Sequence, residues 1–154
     1  MGLFDMFKGD STKNKQGMHP HFAFATSLVY MMASDGEFDN EEIGQLLAVL
    51  GGKSKKGTIR IGDNNDDLME KVFKYFDRNS IDTFLAEAAP VLNYEQKLCV
   101  LANLVDSSLS DGEAEREEQA MFNKFVTAFG VTEQEFASIF KVIAMKNDRS
   151  VFKN

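Results

Sequence analysis

Tryptophan is absent from this chain, cysteine occurs once, and proline and histidine occur twice each. With Cys99 alone no disulfide framework can form, and a reducing compartment is the natural setting. Without Trp, the fourteen Phe and eight Met describe a plastic, aromatic-rich core and not a stacking platform for bases. No apolar run approaches the roughly 20 residues that a membrane span needs. The opening MGLFDMFKGD is too short and too interrupted for a secretory signal, and Met6 stands where a myristoylation signal wants Ser or Thr. Alternating strand patterns are scarce. Helical spacing dominates, so an all-α fold is expected.

At 154 residues the chain is most simply one domain, long enough to bury a sizeable core without staples. Its net charge of −7 is unevenly spread: residues 1–60 carry seven acids and seven bases, residues 61–154 seventeen acids and ten bases. Such an acidic surface is repelled by phosphate backbones, which excludes nucleic acid as a natural partner. Cations and basic protein surfaces fit better.

The pattern predicts about seven helices. The first covers about 20–33, apolar on most sides and therefore central, with Pro20 in a first turn where its missing N–H costs nothing. A second begins at Asp39, which with Glu42 forms a capping box, and ends at Gly51-Gly52. The polar stretch 51–67 reads as a mobile loop with a short extended piece at 58–61. Helices follow over about 66–77 and 81–89, the latter ended by Pro90. Asn93 with Gln96 opens a helix to about 108, and another runs over about 115–129 with Met121, Phe122, Phe125, Val126 and Phe129 inward. Gly130 stops it. Thr132 with Glu135 opens the last helix, expected to bury Phe136, Ile139, Phe140 and Ile143.

One acidic phrase is written twice. SDGEFDNEE occupies 34–42 and SDGEAEREE occupies 110–118, with seven of nine positions identical or exchanging Asp for Glu. Each follows an apolar helix and precedes an amphipathic one, so the fold is expected to be a single bundle built around two pseudo-symmetric helix–DG–helix hairpins. Helix chemistry accounts for much of this, since carboxylates at a helix N-terminus gain roughly 0.3–1 kcal/mol each from the macrodipole. Two features resist that account. Glu115 stands at the second cap position although Glu caps poorly, and Asp35 and Asp111 precede the caps by four residues. Five acids crowd each elbow and repel one another unless a cation or solvent screens them. An EF-hand does not fit: counted from Asp35 the sixth and twelfth residues are Asn40 and Leu46, and counted from Asp63 they are Leu68 and Lys74. Any site must therefore be assembled between elbows.

The opening MGLFDMFK, the two elbows and their helices resemble the TerB-like tellurite-resistance family over roughly 22–142. The family's D-G-x-φ-x-x-x-E pattern falls on Asp35, Gly36, Phe38 and Glu42, and again on Asp111, Gly112, Ala114 and Glu118. Ala114 departs from it, being small where Phe38 is large, and the loop 53–67 is longer than that connection needs. The resemblance implies a bacterial, mostly cytoplasmic protein serving tellurite and other chemical stress, with an acidic metal site at the two motifs and no established catalysis. A related domain precedes the J-domain of a membrane-anchored co-chaperone, but HPH at 19–21 is not the His-Pro-Asp signature of a J-domain. The chain then divides into an N-terminal segment 1–17 (a short helix plus linker), a TerB-like domain 18–147 and a frayed tail 148–154.

The expectation is a non-catalytic acidic helical domain that binds a divalent cation. Asp35, Glu42, Asp111 and Glu118 are the first candidate ligands, with Asp39 and Glu115 as additional ones. Hard oxygen donors favour Ca²⁺, Mg²⁺ or Mn²⁺, and Zn²⁺ less without His or Cys nearby. The rival is a metal-free interaction module whose acidic face recognises a basic partner, such as another stress-response protein. Other signals are weaker. The GGKS at 51–54 lacks a P-loop's first Gly, replaced by Leu47, and no strand precedes it. Cys99, among Leu98, Val100 and Leu101, reads as a buried inert thiol. LFDMF with Lys8, Lys13 and Lys15 offers a short docking helix or a weak contact with an anionic membrane surface, which would make the protein peripheral to the inner membrane.

Overall fold

The computed structural model describes residues 17–35, 65–109 and 116–153. Among them lie six α-helices and no strand: α1 Pro20–Met32, α2 Asn65–Arg78, α3 Ile81–Ala88, α4 Tyr94–Leu109, α5 Arg116–Phe129 and α6 Glu133–Asn147. The all-α bundle expected from the spacing is the fold. The second hairpin, α4 to α5, is described on both sides of its elbow. The first is described as far as Asp35, so the helix expected from Asp39 and the loop 51–64 lie outside the described residues, as does the N-terminal segment 1–16.

Helix α1 is the hub. Ten of its thirteen residues are buried, so it presents no solvent face, and it packs against α2, α4 and α3. Two of the buried residues are polar, yet neither is left unpaired: the Thr26 and Ser27 hydroxyls donate to the carbonyls of Phe22 and Ala23 at 2.6 and 2.7 Å. This back-bonding inside the helix lets hydroxyls enter an apolar centre without a desolvation loss. Around α1 the aromatic residues form a connected cluster. Tyr30 stacks on Phe84 at 5.1 Å, and Phe84 meets Phe125 edge-on at 6.3 Å. Phe84 and Phe125 are wholly buried, each contributing on the order of 1.5–3 kcal/mol by leaving water.

Local capping chemistry sets the helix boundaries. Asn93 and Gln96 exchange two 2.8 Å bonds, each side chain accepting from the other's backbone N–H. Thr132 and Glu135 form the same reciprocal box at the start of α6. Gly130 sits at φ 68° after α5, and the Val131 N–H reaches back to the Val126 carbonyl at 3.2 Å, a Schellman ending. Ser80, not singled out by the spacing, caps α3 by accepting from the Thr83 N–H at 3.1 Å.

Two expectations need correction. Cys99 is exposed, because the inward stripe of α4 runs through Leu101, Leu104, Val105 and Ser108, and position 99 turns away from it with Asn103. Helix α6 buries none of its residues fully: Phe136, Ile139, Phe140 and Ile143 are half-buried, and Phe136, Phe140 and Ile143 pack on the rim of the core. It lies along α4 in the same direction. Tyr94 bonds Glu135 at one end, and Asp106 meets Lys146 and Asn147 at the other, at 3.1 and 2.9 Å. After Asn147 the chain forms a 3-10 turn, Arg149–Phe152, with Asp148 as its cap.

Candidate metal centre

The described part of the candidate site begins where α1 ends. The Ser34 hydroxyl donates to the Met31 carbonyl at 2.6 Å, and the chain tightens into a 3-10 turn, Ala33–Asp35. One turn earlier, the Tyr30 hydroxyl donates to the Asn79 carbonyl at 2.6 Å, tying the end of α1 to the junction of α2 and α3. Burial, with the nearby Glu87 charge second, pushes the Tyr30 phenol up to about 12. The end of α1 is thereby held in one position. From there the turn Ala33–Asp35 packs against α5, the helix that the second acidic stretch opens.

Of the six candidate ligands, the structure describes the backbone of Asp35 and the whole of Glu118. Glu118 lies in the first turn of α5, half-buried. Asp39, Glu42, Asp111 and Glu115 lie outside the described residues. The structure therefore brings the lead-in of the first elbow onto the helix of the second. Among the described residues no three His, Cys, Asp or Glu side chains converge.

The soft donors are set apart in the fold. His19 caps the N-terminal end of α1, and the thirteen-residue helix puts about 20 Å between it and the turn holding Asp35. Burial, then the neighbouring His21 and Lys71, lowers the His19 pKa, and its Nδ1 accepts from the Phe22 N–H at 3.4 Å. Cys99 lies ten residues before the end of α4, roughly 15 Å from the second elbow along the helix. The soft donors thus sit away from the acidic corner, leaving carboxylates, hydroxyls and carbonyls. Among the described residues one buried side-chain oxygen lacks a hydrogen-bond partner, the Ser108 hydroxyl, on a residue only 3% exposed in the last turn of α4. A buried hydroxyl without a bond calls for a water or an ion. Carboxylate and hydroxyl oxygens are the donors that a hard cation takes. The register of Ser108 with Leu101, Leu104 and Val105 places it on the buried stripe.

Other polar features lie elsewhere. A groove of about 610 Å³ runs between α3 and α5, lined by Leu85, Ala86, Pro90, Thr127 and Ala128, with the 3.2 Å Lys124–Asp82 pair at its edge. Tyr75 donates to Glu87 at 2.7 Å beside a smaller cleft that holds Lys71, Lys74 and Arg78. Neither groove reaches the elbows' described residues. No helix among the described residues is long and apolar enough to cross a membrane.

A helical bundle whose central helix and α4 each run into an acidic Asp-Gly elbow defines a class of small all-α domain. The family model of tellurite resistance protein TerB matches residues 21–141, and the chain belongs to that family. No curated protein and no solved structure matches it significantly.

Proposed function

We propose that this tellurite-resistance-related domain is a non-catalytic module that binds one divalent cation between its two acidic elbows. The observation that supports this most directly is the packing of the turn Ala33–Asp35 against α5. Asp35, Glu42, Asp111 and Glu118 would hold the ion, with Asp39 and Glu115 completing its oxygen environment. Ca²⁺, Mg²⁺ and Mn²⁺ suit such donors, and Zn²⁺ suits them less. When bound, the cation supplies charge neutralisation where like charges crowd and a bridge between the hairpins. The residues themselves do the rest: Tyr30 and Ser34 fix the end of α1, and α5 presents Glu118 from its first turn. In the cell this module would serve a cytoplasmic stress-response complex with other proteins.

The test is thermal melting of the full chain with Ca²⁺, Mg²⁺ or Mn²⁺ against EDTA. A rise in melting temperature that grows with ion concentration is the expected result. Superimposable curves for every ion overturn the proposal. The rival reading, an acidic face for a basic partner, gains if Asp35→Asn with Asp111→Asn weakens partner capture while ion titrations stay flat.

A further inference from the structure

We propose that the C-terminal end of α6, together with the 3-10 turn Arg149–Phe152, docks on an anionic phospholipid surface. The evidence is an apolar surface that the fold leaves in water. On α6, Val142 is 58% and Met145 66% exposed, and beyond it Val151 is 70% and Phe152 87% exposed. Val142 and Met145 are one helical turn apart on the outer face, opposite the half-buried Phe140 and Ile143 that pack on the core. Singly exposed apolar residues are ordinary, but here four fall within eleven positions, one of them a Phe at the end of a short turn.

Cations are interleaved with these residues. Lys141, Lys146, Arg149 and Lys153 lie in the same segment of a chain whose net charge is −7. Two described acids beside them, Asp106 and Asp148, are engaged. Asp106 accepts from Lys146 and Asn147, and Asp148 accepts from the backbone and hydroxyl of Ser150, with Lys153 close by. The negative end of the helix dipole accounts for Lys146 in the last turn. It does not account for basic residues beyond the helix, nor for the exposed Val151 and Phe152.

Charge decides among the occupants. A second copy of the same face would set Lys141, Arg149 and Lys153 against the same three cations, Lys146 being paired with Asp106. The N-terminal segment carries Lys8, Lys13 and Lys15 against Asp5 and Asp10, so it has the wrong sign as well. An acidic protein matches the charge, but Phe152 is 87% exposed on a four-residue turn, where an anchor for a protein surface needs a groove. Exposed apolar side chains interleaved along the chain with Lys and Arg match the boundary of an anionic bilayer, where the apolar groups enter the acyl region and the cations meet headgroups.

The test is co-sedimentation of the full chain with phosphatidylcholine vesicles, with and without phosphatidylglycerol. The chain is expected to sediment only with the anionic vesicles and to be released by salt. Replacing both Val151 and Phe152 by Ser, or both Lys141 and Arg149 by Gln, is expected to lower partitioning by about tenfold or more, on the basis of roughly 1 kcal/mol per cation at such a surface. These residues are exposed, so circular dichroism and melting should be unchanged in both variants. No sedimentation with phosphatidylglycerol overturns the proposal. So does sedimentation that survives both double variants, which would move the contact elsewhere in the chain, or polyglutamate capture that persists without Val151 and Phe152 while vesicles go unbound, which would assign the patch to an acidic protein.

Discussion

Tyr30 shows how one side chain can hold both the core and the entrance to the acidic corner. Its ring lies within the aromatic cluster, 4.9 Å from Phe76 and 5.1 Å from Phe84, while its hydroxyl satisfies a carbonyl 49 residues away. Tyr30→Phe keeps the ring and strands the Asn79 carbonyl, so a loss of about 1–2 kcal/mol is expected in chemical denaturation. The pH dependence follows from the burial of that phenol, with the Glu87 charge second. An unfolded Tyr loses its proton near 10, whereas the folded phenol holds it to about 12. The folded state therefore binds more protons in that window. Its stability contribution is complete below about 10 and declines as pH rises toward about 12. Wild type should lose stability over that alkaline range more steeply than Tyr30→Phe, as read by melts at stepped pH. His19 has the opposite sense: its pKa is lowered, so its contribution is complete above about 6.5 and falls as the solution becomes acidic.

The helices divide into those fixed by local chemistry and those placed by distant partners. Gly130 belongs to the first kind. A Cβ there meets nothing within 4 Å, so Gly130→Ala tests backbone strain alone and should cost about 1 kcal/mol, seen as a lower denaturant midpoint with an unchanged slope. Helix α6 belongs to the second. It has no fully buried residue, and its far end is held by Asp106 through Lys146 and Asn147. Burial alone would raise the Asp106 pKa, but those two hydrogen bonds and the Lys146 charge outweigh it and hold it below the ordinary value. Its contribution is present above about 3.9 and lost as pH falls through the lower folded value. Asp106→Asn should loosen α6 by about 1 kcal/mol, visible as faster hydrogen exchange in α6 than in α1. This division also explains what the sequence could reveal. The boxes at Asn93 and Thr132, the Pro20 start and the Gly130 stop depend on neighbours three or four positions away, and all were legible. The partners of Asp106 are 40 and 41 residues distant, and no spacing encodes them. The exposure of Cys99 turned on a helical phase that three apolar neighbours disguised.

Across the whole molecule the same limit governs the site. The repeated phrase was visible in the sequence, but the packing of Ala33–Asp35 against α5 depends on how α1 and α3 seat the turn. Tyr30 and the Phe84–Phe125 contact make that seating. If one ion is shared between the elbows, the two elbows should behave as a single thermodynamic unit. Saturating cation at about a hundredfold over its dissociation constant would then add about 2.7 kcal/mol to unfolding stability. Asp35→Asn alone, or Asp111→Asn alone, should each remove most of that gain, and the double variant little more, because either change already breaks the shared coordination. Two independent elbows, each merely finishing its helix or holding its own ion, would instead give additive losses. The cycle is best run on the ion-dependent part of stability, with and without EDTA. Capping and dipole losses persist in EDTA and cancel in that difference, leaving the coupling between two stretches that lie 76 positions apart in the sequence.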